Sequence, residues 1–141
     1  MKQRLALMSA ALWWGSLTAI GFMVVPMLFA HLATPAMAGA MAAKLFTAQS
    51  WMSIGCALVL LMATTRRDTE ADDAPSAPPP ALVMPIVAGL LLALLVEYAV
   101  APRIVARENL KLWHSVGTGM YFVQWLCAAA ALWRLGPAQP R

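Results

Sequence analysis

Charge is scarce in this sequence: Asp, Glu, Lys and Arg make up 11% of its 141 residues, against about 25% in a typical soluble domain. That shortage argues against a water-soluble globule. Cysteine is scarce too, with two residues, too few to staple a small secreted scaffold. The chain also lacks a P-loop, a dinucleotide-binding glycine fingerprint, a nucleophile elbow, a His-Glu-x-x-His and a paired Cys-x-x-Cys. Their absence weighs against an enzyme. Apolar residues fill the space instead, at 62% of the chain and a mean hydropathy of +0.71, which excludes a disordered chain of low hydrophobicity. The class that remains is an integral membrane protein. At about 20 residues per helical span, this length holds at most four or five crossings, so residues 1–141 form one transmembrane domain.

Four apolar stretches stand out, at 5–30, 38–63, 82–101 and 115–133. Backbone polar groups find no water in hydrocarbon, so only helices or closed barrels cross it, and these runs lack the alternation of barrel strands. The expected fold is therefore all-α, an integral membrane four-helix bundle. The first stretch is preceded by Lys2 and Arg4 and followed by a small-x-small sequence at Ala36-Met37-Ala38, which raises the question of a cleaved signal peptide. Its length is far beyond the roughly 7–15 residues of a signal core, so it is expected to be a retained span. Ala11, Gly15 and Ala19 form a small-residue row on it that admits a close neighbour.

Between the second and third stretches, residues 64–81 carry a charged run and then Pro75, Pro78, Pro79 and Pro80. That composition builds no core and reads as a flexible, proline-rich cytoplasmic linker. Between the third and fourth, Arg103, Arg107 and Lys111 recur every four residues. With Pro102 suited to a first turn, this predicts a short amphipathic surface helix between helices 3 and 4.

Four spans put both termini on one side. That side carries Lys2, Arg4, Arg66, Arg67, Arg134 and Arg141, and the other carries Lys44, Arg103, Arg107 and Lys111. Six basic residues against four favour cytoplasmic termini. The net charge of +4 then reflects helix ends meeting lipid headgroups, and no basic stripe is long enough to track nucleic acid. In either orientation His31, Lys44, Gln49, Glu97, Arg103, Arg107, Glu108, Lys111 and His114 gather toward one face.

Glu97 is the sharpest candidate. Counted from Leu82 at about 1.5 Å per residue it is still inside a core about 30 Å thick, where an ionisable group marks a functional site by default. A structural ion pair between helices is the competing reading, at even weight. Lys44, Gln49, Arg103, Arg107 and His114 are candidate binding partners of the same site. His31 and His114 suit a haem or a metal ion, although interfacial histidines more often contact headgroups. Met23 and Met27 are soft ligands at helical spacing, although methionine is more often core filler. Cys56 and Cys127 read as small hydrophobes, Trp113 and Trp133 as interfacial anchors of the fourth span, and Trp13, Trp14, Trp51 and Trp125 as packing or lipid contacts.

Gly21-Phe22, then Val25-Pro26-Met27-Leu28-Phe29-Ala30, Ala38-Gly39-Ala40, Lys44-Leu45-Phe46, and Pro102 ahead of Trp113-His114-Ser115 together resemble the bacterial members of the transmembrane-protein-205-like family (domain of unknown function 4149). The resemblance implies four transmembrane helices in a bacterial inner membrane, and Pro26, Phe29, Gly39, Phe46, Pro102 and His114 as motif positions. A eukaryotic relative is associated with resistance to platinum drugs, which is compatible with soft-metal handling. The expectation is thus a membrane protein binding or moving a small solute or soft metal ion at its non-cytoplasmic face. The rivals are an accessory subunit that docks a partner membrane protein or a second copy, and a haem-linked oxidoreductase. Membrane lipids are the expected surroundings.

Overall fold

The computed structural model describes residues 2–65 and 80–136. Within them the chain forms four helices long and apolar enough to cross a membrane: α1, Lys2–His31; α2, Pro35–Thr65; α3, Pro80–Val105; and α4, Leu110–Leu135. No strand occurs among the described residues. The all-α four-helix architecture is the expected one. Each helix is longer than the apolar run that announced it, because small and polar residues flanking each run continue the helix. Residues 66–79 of the expected linker lie outside the described residues, while Thr64, Thr65, Pro80 and Ala81 are helical.

Each helix packs on two neighbours, α1 and α3 both contacting α2 and α4, which closes an antiparallel square. The core stripe runs through Ala6, Ala10, Trp13 and Leu17 of α1, Cys56, Ala57 and Leu60 of α2, Leu82 and Ile86 of α3, and Ala128, Ala131 and Leu135 of α4. Half of it is alanine or cysteine; lipid tails are as apolar as leucine, so helices associate by close packing rather than by escape from water, and small residues let them approach. Outward-facing Met8, Met84, Leu91 and Trp133 are exposed, as a lipid-facing surface requires.

Both ascending helices contain a widened π turn just ahead of a proline. In α1 it spans Ile20–Val24 and closes with the Val25 N–H donating to the Ile20 carbonyl; in α3 it spans Val96–Val100 and closes with Ala101 donating to Val96. Pro26 and Pro102 follow at once. Proline has no N–H and its ring crowds the carbonyl four residues back, and the extra residue in each turn accommodates it. Pro85 is handled differently. It leaves the Ala81 carbonyl without its helical donor, and Arg134 Nη1 of α4 donates to that oxygen instead.

The amphipathic helix expected between helices 3 and 4 does not form. Helix α3 ends at Val105, a turn occupies residues 106–109, and α4 is already under way at Leu110. Arg107 (φ 57°) and Asn109 (φ 36°) are both left-handed, the conformation that ends a helix. Arg103, Arg107 and Lys111 therefore sit on a helix end, a turn and a helix start, and make no common stripe.

Candidate functional site

The end of the square where α1 meets α2 and α3 meets α4 is where most of the ionisable candidates lie. Glu97 lies in the π turn of α3 and is half-buried. No hydrogen bond or ion pair joins it to another described residue. Arg103 is turned away from the bundle interior: its Nη1 donates to the Ala99 carbonyl at 2.8 Å, and its guanidinium stacks 4.5 Å above the Trp113 ring. That cation–π contact holds the end of α3 against the start of α4. Beside it an open groove of about 490 Å³ is lined by Tyr98, Ala99, Pro102, Arg103, Ala106 and Glu108.

Lys44, Arg107 and His114 are exposed. His114 accepts the Thr118 hydroxyl on its carbonyl. His31, also exposed, pairs Nδ1 with the Met27 carbonyl at 3.0 Å, and no contact joins it to His114. Met23 and Met27 are 61% and 57% exposed. Among the described residues no three His, Cys, Asp or Glu side chains gather closely enough to hold a metal ion. Cys56 and Cys127 are both free. Of the motif positions, Pro26 and Pro102 follow the π turns, Gly39 has open space around it, Phe29 faces outward, and Phe46 meets Tyr121 edge to face at 5.3 Å.

Gln49 belongs to a different place. It is buried, at 3% exposure, and its Nε2 donates to Ser16 Oγ at 3.0 Å and to Ser53 Oγ at 3.3 Å. Ser16 in turn donates to the Trp13 carbonyl. This is a polar layer inside the bundle, linking α1 to α2. Interhelical bonds of this kind contribute about 0.6 kcal/mol on average and up to about 2 kcal/mol. Gln49→Leu is expected to lower the unfolding free energy in detergent by about 1 kcal/mol, read from the denaturation midpoint.

Gln124 of α4 is equally buried, and its Nε2 has no partner; the Trp13 and Trp14 indole N–H groups are also buried without one. Tyr121 donates to the Leu17 carbonyl at 2.8 Å, and Trp125 Nε1 donates to Thr18 Oγ1 at 2.9 Å. None of these contacts was read from the sequence. A glutamine inside an apolar run, as at both 49 and 124, was the available signal.

Residues 8–111 match the family described as Domain of unknown function (DUF4149). The chain belongs to that family. Comparison with curated proteins and with solved structures finds no match for it. The family's span takes in α1 from Met8 onward, α2, α3 and the turn carrying Arg107, so Glu97 and both π turns fall inside it, while nearly all of α4 falls outside.

Proposed function

We propose that this family member binds a small cationic solute, a soft metal ion included, at the end of the bundle where Glu97 lies, and hands it into or across the membrane. One observation carries the reading: Glu97 is half-buried in a widened turn of a membrane-spanning helix without a described partner. A carboxylate at that depth is stable only if protonated, paired or facing a polar space, and a cation arriving there supplies the missing pair. The helical ladder is already interrupted at a π turn, which is where such turns concentrate function. Lys44, Arg103, Arg107 and His114 lie toward the same end of the bundle, on exposed surface that keeps their charges in polar surroundings. With the six-to-four excess of basic residues on the terminal side, the termini are cytoplasmic and the site opens to the non-cytoplasmic face of a bacterial inner membrane.

The test uses protein purified in mild detergent and dialysed separately against Cu(I), Zn(II) and tetramethylammonium. At least one of these probes is retained at about one per chain, and Glu97→Gln weakens its binding about tenfold or more, a loss of about 1.4 kcal/mol. If Glu97→Gln and His114→Ala leave every affinity unchanged, the reading fails. An absorption spectrum of the undialysed protein decides the haem alternative: a Soret band lost in His31→Ala and His114→Ala variants replaces the solute reading with a redox one.

A further inference from the structure

The two helical hairpins superimpose in sequence register. The buried stripe of α1 is Ala6, Ala10, Trp13 and Leu17, and that of α3 is Leu82, Ile86, Gly89 and Ala93: the same spacing at one constant offset. That offset also carries the π turn Ile20–Val24 onto Val96–Val100 and Pro26 onto Pro102. A second constant offset, shorter by one, carries the start of α2 at Pro35 onto the start of α4 at Leu110. It carries the buried positions Gln49, Ser53, Cys56 and Leu60 onto Gln124, Ala128, Ala131 and Leu135. Equivalent residues also touch one another across the square. Phe46 meets Tyr121, and the Trp13 ring fills the space over Gly89, within 2.7 Å of where a Cβ there would stand. Residues that meet their own equivalents lie on a twofold axis. This axis runs along the bundle and holds the aromatic pair, then the Gln49 and Gln124 layer, then Trp13 with Gly89.

The hydrogen bonding departs from that symmetry in the middle layer. Gln49 has Ser16 and Ser53; the positions equivalent to those serines, beside Gln124, are Leu92 and Ala128. Gln124 Nε2 is left a buried donor without an acceptor, and so is Trp13 Nε1, whose ring flanks Gly89 together with Cys127, one turn along α4 from Gln124. Buried donors cost about 1–3 kcal/mol each when unsatisfied, and every unpartnered buried side-chain atom among the described residues is a donor. The missing group is therefore an acceptor. No charged side chain lies among Ser16, Gln49, Ser53, Leu92, Cys127 and Ala128, so a charged ligand would be unpaired there. In transporters built from internal repeats, substrate sites lie near the bilayer midplane at the interface between the repeats.

We infer that the chain is a duplicated helical hairpin and that a small uncharged molecule presenting a carbonyl-type oxygen binds on its axis, between Gln124 Nε2 and Trp13 Nε1. This site is separate from Glu97 and does not depend on it. The duplication is tested by the exchange Trp13→Gly with Gly89→Trp. Each single variant lowers the unfolding midpoint, and the double variant recovers at least half of the loss of Trp13→Gly, because the indole enters the same space from the other hairpin. A double variant that falls by the sum of the two singles overturns the twofold. The site is tested with acetone, an uncharged acceptor without a donor, titrated against ¹⁵N-indole-labelled protein, with the Trp13 resonance assigned through Trp13→Phe. The Trp13 signal shifts and saturates in the native protein. The shift disappears in Leu92→Ser/Ala128→Ser, which gives Gln124 the hydroxyls that Gln49 already has, and in Gln124→Leu. A shift that is linear and common to all six indoles, or one unchanged in both variants, overturns the site.

Discussion

Trp13→Ala lowers the unfolding free energy of the bundle by about 3 kcal/mol. Trp13 is fully buried, the largest side chain that is, and its ring crosses the square to reach Gly89 on the opposite helix. Removing it leaves a void bounded by helices that are fixed by their own hydrogen bonds and cannot collapse inward far. In a soluble core such a truncation costs about 3–5 kcal/mol. The lower end applies here, because the truncated residue would exchange one apolar surrounding for another and only the packing loss remains. Denaturant titration in mixed micelles measures it, and a loss below about 0.5 kcal/mol, the level of a lipid-facing substitution, contradicts the assignment of Trp13 to the core.

Gly89→Leu produces the second large loss, about 2–3 kcal/mol, from overpacking rather than a cavity. A Cβ at position 89 would stand 2.6 Å from Trp13 Cη2 and 3.4 Å from Cys127 Cβ. The indole is rigid and fully enclosed, so the helices themselves must separate. The two effects share one space, so they are not additive: in a Trp13→Ala background Gly89→Leu costs little or stabilises. Equal losses for Gly89→Leu with and without Trp13 would contradict the contact. Gly21, by comparison, lies against the Tyr121 ring edge, a side chain already tethered through its hydroxyl to Leu17.

How much of this was legible beforehand follows the kind of signal involved. The four spans were readable because hydrocarbon demands long uncharged runs, and Leu45 to Ala63 or Leu82 to Val96 satisfy that demand by composition alone. Helix ends were less so: hydropathy marks the run at 38–63 but not the cap, and α2 already begins at Pro35, a residue suited to a first helical turn. The basic spacing of Arg103, Arg107 and Lys111 fitted a helix, but periodicity carries no information about φ at Arg107 and Asn109, where the chain turns left-handed. Glu97 could be placed by depth, and it does lie within a spanning helix; that it sits in a π turn depends on Pro102 five residues later, a coupling visible only once the backbone is traced. Gln49 was grouped with the polar end by sequence position, whereas burial and its serine partners place it inside the bundle. Trp13 and Arg134 were read as packing or lipid contact and as topology charge. Their roles, over Gly89 and on the carbonyl that Pro85 leaves free, join residues far apart in the chain and exist only in three dimensions.

The proposed solute site is tested most directly by the chemistry of Glu97 itself. Dicyclohexylcarbodiimide partitions into bilayers and modifies carboxyl groups held within them, and peptide mass analysis locates the adduct. In proteoliposomes the expected result is modification at Glu97, with little at exposed Glu108. Whichever of Cu(I), Zn(II) or tetramethylammonium binds in dialysis should slow the modification at least tenfold when added first. Modification of Glu97 at one unchanged rate with and without that cation would contradict the account, as would a Glu97 that resists the reagent while Glu108 reacts.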